Sequence, residues 1–480
     1  MIKMKDYGLK FYLLLLFSSI ILFSCDDDND DDPKPSPAPT PSKTELTKTQ
    51  KVNNFIKTAM EDVYLWSEEL PKIDPLKESN SFDYFKKLTY KDDRWSWVTD
   101  DVKALEASFQ GTETTFGYSL SFVRFSNSDN VFAQVQFVYP NSPASEANLK
   151  RGDIILKYDG KQLDINNYRK LIQADKLTVS LAKLQGNTIV LTGVTKTMTA
   201  REMSLDPAKV IESKIITKGN RKIAYLFYAQ YIGNFNSSLD EKFADFISKG
   251  ATDLVLDLRY NPGGGVDAAQ HLCSMIAPLD AVDNEKVLVS YKWNKKYQDL
   301  WTKEGQKSQL GINFDKTVAS KMNLNKVYIL TGRGSASASE LTITGLRAYM
   351  NVTTIGATTH GKYTASRTIK PKHIYKNQSD ITPIENWAIQ PIILKYANAE
   401  GVSDFKDGFM PDHSVKDDIF SKIPLGDENE PLFAKAISLI TGTPTAIART
   451  KTSDNFTVFD RGFSRFDEQK NVLNIDLEKK

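Results

Sequence analysis

Between residues 46 and 110 the apolar side chains recur at helical spacing. In KTQKVNNFIKTAMEDVYLWSEEL, Val52, Phe55, Ile56, Ala59, Met60 and Val63 fall on one face, and Pro71 ends the run. SFDYFKKLTY predicts a second, short helix; Trp66, Trp95 and Trp97 read as core or interdomain packing residues. From residue 111 the period changes. TFGYSLSFVRF and VFAQVQFVYP read as strands, Pro143-Ala144 opens a short helix, Gly152-Asp153 makes a turn, and IILKYDG is a strand closing on a second turn.

After residue 206 strands and helices alternate. RKIAYLFY is a strand, SSLDEKFADFISKG an amphipathic helix stopped by Gly250, and ATDLVLDLRYNPGGG a buried strand running into a glycine-rich turn. VDAAQHLCSMIAP is a helix with Cys273 in its apolar phase; KVYILTG, SASASELTITGLRAYM and VTTIGAT follow as strand, helix and strand. This order predicts α/β structure with a substantial parallel sheet. The chain as a whole reads as multidomain α/β: a leader at 1–24, a tether at 25–45, a helical region at 46–110, a β-rich domain at 111–205, an α/β domain at 206–425, and a helix (PLFAKAISLIT) plus tail at 426–480.

Composition narrows the function classes. Hydrophobic residues are 40% and charged residues 25%, the balance of a globular protein, and a formal net charge of +2 does not suggest a nucleic-acid partner. Two cysteines imply no disulfide framework, and four histidines without metal-ligand spacing imply no metal or other cofactor.

The N-terminus carries a different signal. Lys3, Lys5 and Lys10 precede FYLLLLFSSIILF, residues 11–23, an apolar run short for a membrane span. The run ends in LFSC, which resembles a bacterial lipoprotein signal and implies lipidation of Cys25; Phe23 is bulkier than usual there. The alternative is an uncleaved signal anchor with Cys25 incidental. DDDNDDD and PKPSPAPTPSKT then form an extended, self-repelling tether. The acidic run after the cysteine is similar to the surface-export signal of Bacteroidetes-type lipoproteins. The expected location is the bacterial cell envelope, lipid-anchored at a membrane, with the outer membrane favoured.

Three stretches carry candidate chemistry. GRGSASASE, residues 332–340, places Ser337 three residues before Glu340 at a helix start, a capping box. DLRYNPGGG, residues 257–265, offers Gly263 and Gly264, whose freedom at unusual backbone angles lets N–H groups point into a site. HGKYTAS, residues 360–366, brings Lys362 onto a turn after a strand. In a parallel sheet such strand ends converge on one crevice.

SPASEANLKRGDIILKYDG resembles a PDZ domain, with Asn148 where a glycine is usual. The resemblance implies that Phe116, Gly117, Tyr118, Ser119 and Leu120 grip a peptide's C-terminal carboxylate while an edge strand pairs with the peptide. The alternative is a domain that only positions its neighbour. DLRYNPGG, GSASASE and HGK, in this order behind a PDZ pattern, resemble the C-terminal processing (tail-specific) serine peptidases over about residues 110–415. That resemblance implies a tail-specific peptidase fold for the α/β domain, with Ser337 as nucleophile, Lys362 as base, and oxyanion donors at Ala338 and at Gly263 or Gly264. Two positions depart from the family pattern. Ser366 stands where relatives often have glutamine and becomes the candidate orienter of the lysine, and Ala348 stands where they often have an acid.

The chemistry is consistent with these roles. A lysine must be neutral to take a serine proton, and burial disfavours its ammonium form. The N-terminus of the helix after Ser337 acts in the same direction. His360 is a competing base without an evident carboxylate partner, and Ser335 and Ser339 differ from Ser337 in helix phase. Asp412 and His413 read as structural. The implied function is a lipid-anchored serine endopeptidase acting near the C-termini of proteins or peptides. The alternative is a non-catalytic peptide- or ligand-binding lipoprotein of the same fold.

Overall fold

The computed structural model describes residues 45–444 and 455–462 and the backbone of 473–474. The leader, Cys25 and the acidic and proline-rich run, residues 1–44, lie outside the described residues.

The predicted first helix is α1 (Lys48–Val63), opened by a capping box between Thr47 and Gln50. Val52, Phe55, Ile56, Ala59 and Met60 are its buried stripe. Each larger apolar side chain here contributes ~1.5–3 kcal/mol on burial, more than a cap's ~1 kcal/mol, so the stripe dominates. It packs with α2 (Ser81–Leu88), Trp95, Ile369, Ile389 and Ile392. Trp97–Thr99 also pairs antiparallel with Ala388–Gln390, which stitches this region onto the α/β body.

The β-rich domain is a sheet of β1 (Tyr118–Phe125), β2 (Val131–Val138), β3 (Ile154–Tyr158), β4 (Lys176–Gln185) and β5 (Thr188–Thr199) in that spatial order. Its core holds Phe116, Tyr118, Leu120, Phe122, Val131, Ile155 and Leu171. Beyond β1 the sheet gains one more strand, the distant segment Phe456–Gly462, paired antiparallel with β1.

The α/β body is built on β6 (Lys214–Lys218), β7 (Arg221–Phe227), β8 (Asp253–Asp257), β9 (Lys326–Thr331) and β10 (Asn351–Gly356), adjacent in that order, with His413–Ser414 beyond β10. β7 to β10 are parallel. Their near-continuous apolar runs are covered on both faces, as a parallel sheet requires. One face carries α3 (Asn236–Ser248), α4 (Val266–Ile276) and α5 (Ala338–Arg347), with Cys273 inside that core. The other carries α6 (Pro431–Thr441) together with Phe137 and Tyr139 from the β-rich domain. A second sheet runs Gly264–Gly265, Leu473–Asn474, β11 (Thr364–Ser366), β12 (Ile392–Asn398), Val287–Trp293 and Gly311–Asn313.

A buried ionic cluster joins the β-rich domain to the body. Arg151 donates to Tyr260 Oη at 2.6 Å and to Asp417 Oδ1 at 2.9 Å. Arg259 lies behind it, forked on Glu430 at 2.6 and 2.8 Å and bonded to Asp257. The flank of the glycine-rich turn is thus held by charge pairs at its base.

Candidate active site

The parallel strands β8, β9 and β10 end on one edge, and the segment leaving each carries one of the three motifs. The three serines of GRGSASASE separate by what they touch. Ser335 Oγ accepts the Gly332 N–H and donates to Leu258 C=O at 2.8 Å. Ser339 Oγ donates to Asn261 C=O at 3.0 Å. Both hydroxyls tie the Ser337 loop to the glycine-rich loop. Ser337 is different. It precedes α5 with φ 59° and ψ −110°, a backbone conformation strained for a side-chain-bearing residue. Its Oγ is buried and makes no hydrogen bond within the described residues, so the hydroxyl is not consumed by the cap.

The other half of the expected capping box is formed and does more than cap. Glu340 Oε2 accepts the N–H of Ser337 and the N–H of Lys362, and Oε1 accepts Thr359 Oγ1 and the N–H of Gly361. Tyr396, on β12, donates its hydroxyl between Lys362 C=O at 2.9 Å and Ser337 C=O at 3.2 Å. Two buried side chains therefore join the serine segment to the lysine segment. Burial pushes the Glu340 carboxyl up to about 7, against the pull of its four donors.

Lys362 is fully buried. Burial pulls its amine down to about 7, opposed by the charges of Asp93 and Glu340. Its Nζ lies 5.8 Å from the ring centroid of Trp95. Trp95 and Asp93 come from the N-terminal region. Asp93 is itself fixed by Tyr64 Oη and by the N–H groups of Trp95 and Ser96. His360 is held down to about 4, first by burial and then by Arg94 and Lys362. It is neutral at pH 7 and a much weaker base than the lysine beside it.

The two glycines left open by the sequence differ. Gly263 has φ 104°, and a Cβ there would sit 2.7 Å from Ser337 Cβ and 2.9 Å from Ala338 N. Its N–H, however, donates to Asn261 Oδ1 at 2.8 Å, which leaves the N–H of Gly264 as the candidate to pair with that of Ala338. Ser366, the candidate orienter of the lysine, is buried on β11. Its Oγ accepts from Gln390 Nε2 at 3.2 Å, and Gln390 Oε1 accepts from Thr368 Oγ1. Ala348 caps the C-terminus of α5. Asp412 holds Thr354 through its N–H and hydroxyl, a structural contact.

The residues read as a peptide grip keep their side chains inside the domain. Phe116, Tyr118 and Leu120 are side chains of the domain's core, and Ser119 Oγ donates to Gln136. A Cβ on Gly117 would meet Ser142 Cβ, and its N–H donates to Thr115 Oγ1. These side chains are committed inward. The backbone edge of β1, from Leu120 to Phe125, is paired with Phe456–Gly462.

Sequence reasoning assigned Glu340 only to a cap and missed Tyr396 and Asp93. The spacing of Glu340 announced the cap, but no local signal announces contacts from 19 to 59 residues away.

Residues 222–415 match peptidase family S41, residues 51–97 its N-terminal domain, and residues 135–182 a PDZ domain. A carboxy-terminal-processing protease of Bartonella bacilliformis is 28% identical over 296 residues, covering 60% of this chain and 59% of that protein. A carboxyl-terminal-processing protease of Synechocystis is 25% identical over 326 residues, covering 67% of this chain and 68% of that protein. The match thus spans less than two thirds of the Bartonella relative. A crystal structure from Bacteroides fragilis, assigned to the S41 proteases, superposes with TM-score 0.66 at 25% identity, covering 82% of this chain and 98% of that one. Motif order, sheet topology and these likenesses agree: residues 222–415 form a domain of peptidase family S41, preceded by segments that match the family's N-terminal domain and a PDZ domain.

Proposed function

We propose that this chain is a lipid-anchored cell-envelope serine endopeptidase that cleaves proteins or peptides near their C-termini with a Ser337–Lys362 dyad. The observation that carries the reading is an unspent, buried Ser337 hydroxyl and a buried lysine whose pKa falls near 7, on two segments whose backbone N–H groups share the Glu340 carboxylate. At neutral pH about half of such an amine is neutral and able to accept a proton.

In the proposed mechanism Lys362 Nζ takes the proton of Ser337 Oγ as the oxygen attacks the scissile carbonyl. The N–H groups of Ala338 and Gly264 stabilise the oxyanion at the start of α5, a contribution of roughly 10²–10³ in rate per donor. The ammonium returns its proton to the leaving amine, and water, deprotonated by the same lysine, hydrolyses the acyl-enzyme. The PDZ domain delivers the substrate tail, and Cys25 carries the lipid.

Ser337→Ala and Lys362→Ala each abolish cleavage of peptides with apolar free C-termini; unchanged turnover in either refutes the dyad. Anchoring is tested apart from chemistry. A Cys25→Ala chain that still incorporates labelled fatty acid refutes lipidation at that residue.

A further inference from the structure

The tail strand Phe456–Gly462 lies on the edge of β1, from Phe456 opposite Phe125 to Gly462 opposite Leu120. It runs toward the Phe116–Gly117 turn, where a bound tail's carboxylate belongs if the domain recruits C-termini. Phe456 and Val458 rest on an apolar patch with Phe125, Phe132 and Phe420. Phe459 meets Tyr168 edge-on at 5.2 Å. Asp460 Oδ2 accepts Tyr168 Oη at 2.7 Å and Arg169 Nη2 at 2.8 Å.

Two features distinguish this strand from an integral one. The domain's main core, from Phe116 to Met198, contains no residue of 456–462, and the smaller buried cluster on the sheet's other side, around Val123, Phe132 and Ile154, takes Phe456 and Val458 only as partly buried neighbours. Of the segment's own residues only Gly462 is buried; the rest are half-buried or exposed. It is seated on a finished domain as a peptide would be. It also leads toward the catalytic loops. Arg461 Nη1 lies 2.8 Å from where a Cβ on Gly334 would stand, and its guanidinium faces Tyr260 at 6.0 Å. Farther on, the backbone of Leu473–Asn474 pairs with Gly264–Gly265 and with Ser366.

We propose that Phe456–Gly462 is a built-in ligand of the β1 edge, which an incoming substrate tail must displace. Tyr168 and Arg169 then read an acidic side chain in the occupant, following apolar residues that alternate along it. This deepens the reading of the chain as a tail-directed peptidase and rests on it for the word substrate.

The test uses the full chain with Cys25→Ser and Ser337→Ala, so that binding is read without turnover and a failure of the Ser–Lys chemistry leaves the result untouched. Thr457 and Arg124 are exposed and directly paired. Thr457→Cys with Arg124→Cys locks the strand in place on oxidation. The probe is a fluorescein-labelled synthetic peptide of residues 455–462. The expected result is binding to the reduced protein at least tenfold tighter than to the oxidised one, reversible with reductant. Phe456→Asp with Val458→Asp, which loosens the strand, is expected to tighten probe binding at least tenfold. A probe carrying Lys in place of the acidic residue binds at least tenfold more weakly and recovers on Arg169→Glu. Equal binding to the locked and reduced proteins overturns the proposal, and the lock decides it even where the aspartate variant fails to fold.

Discussion

The backbone N–H groups of Ser337 and Lys362 donate to the same atom, Oε2 of Glu340, each at 2.8 Å. One carboxylate therefore sets the spacing between the proposed nucleophile and base, although 25 residues of chain separate them. Tyr396 bridges the carbonyls of the same two residues. A misplacement of about 1 Å between reacting groups can cost roughly 10²-fold in rate, so this clamp matters to chemistry as well as folding.

Glu340→Gln tests the clamp. An amide presents a donor where one carboxylate oxygen accepted two, so two buried donors lose their acceptor at about 1–3 kcal/mol each. The substitution also removes a negative charge that favours the ammonium of Lys362. The amine's pKa then falls below about 7, and the acid limb of kcat/KM moves to lower pH even as kcat drops by about 100-fold or more. A pH–rate profile together with thermal unfolding separates the effects. A lowered Tm with kcat and the limb unchanged would reduce Glu340 to a structural brace.

Lys362→Met predicts a gain in stability with a loss of function. The folded-state pKa of the amine is about 7, below the unfolded value of about 10.4, so the folded state disfavours the bound proton. The penalty is complete below about pH 7 and is relieved as pH rises toward 10.4, because the unfolded chain then binds more protons. The variant is expected to melt several degrees higher at pH 6.5, with the advantage shrinking steadily up to pH 10. Melting curves across that range check it; an advantage constant with pH would mean that the lysine does not titrate in this window.

Much of this was legible in the sequence because it is local. The helical stripe of α1, the alternation of strands and helices after residue 206, and the three motifs at strand ends each follow from short-range spacing. Ser337 stands out by its place before a helix and Glu340 by its N3 spacing. What stayed hidden depends on contacts distant in sequence. The aromatic wall beside Lys362 is Trp95, nearly 270 residues earlier, and the hydroxyl that bridges the site is Tyr396 on a second sheet. The choice of Gly264 over Gly263 rests on where Asn261 Oδ1 points, which no pattern of residue types encodes. The edge of β1 was readable as a docking edge, but not that a segment more than 300 residues away occupies it.

Gly263→Ala separates close approach from donor chemistry. The added methyl would lie 2.7 Å from Ser337 Cβ and 2.9 Å from both Ala336 O and Ala338 N, at a φ of 104° that alanine resists. The neighbours are backbone and the first atom of a side chain, so they cannot simply rotate away. Activity is expected to fall by about 100-fold or more, as for a displaced oxyanion donor, while the domain stays folded by circular dichroism. Near-normal kcat would place the reacting carbonyl away from the Gly263–Ala338 contact.

Glu430→Ala tests the buried charges beneath the site. Arg259 and Glu430 are each 1% exposed, and the fork between them is supported by Asp257 and faces Asp417. Removing Glu430 strands part of a buried guanidinium and takes away the acceptor for Phe433 N–H at the start of α6. Breaking a buried pair on one side costs about 3–5 kcal/mol, and a lost cap adds about 1 kcal/mol. The consequences reach the loop that carries Ser337, because Arg259 C=O is the surface against which Gly332 and Gly334 pack, just ahead of that residue. The variant is therefore expected to melt well below the parent and to lose activity at temperatures where it is still folded. Arg259→Met with Glu430→Met removes both charges and recovers part of the stability, since no unpaired ion remains. Differential scanning calorimetry of the three proteins checks this order, and a Glu430→Ala protein that melts within a degree of the parent would show that Asp257 and Asp417 alone suffice to neutralise Arg259.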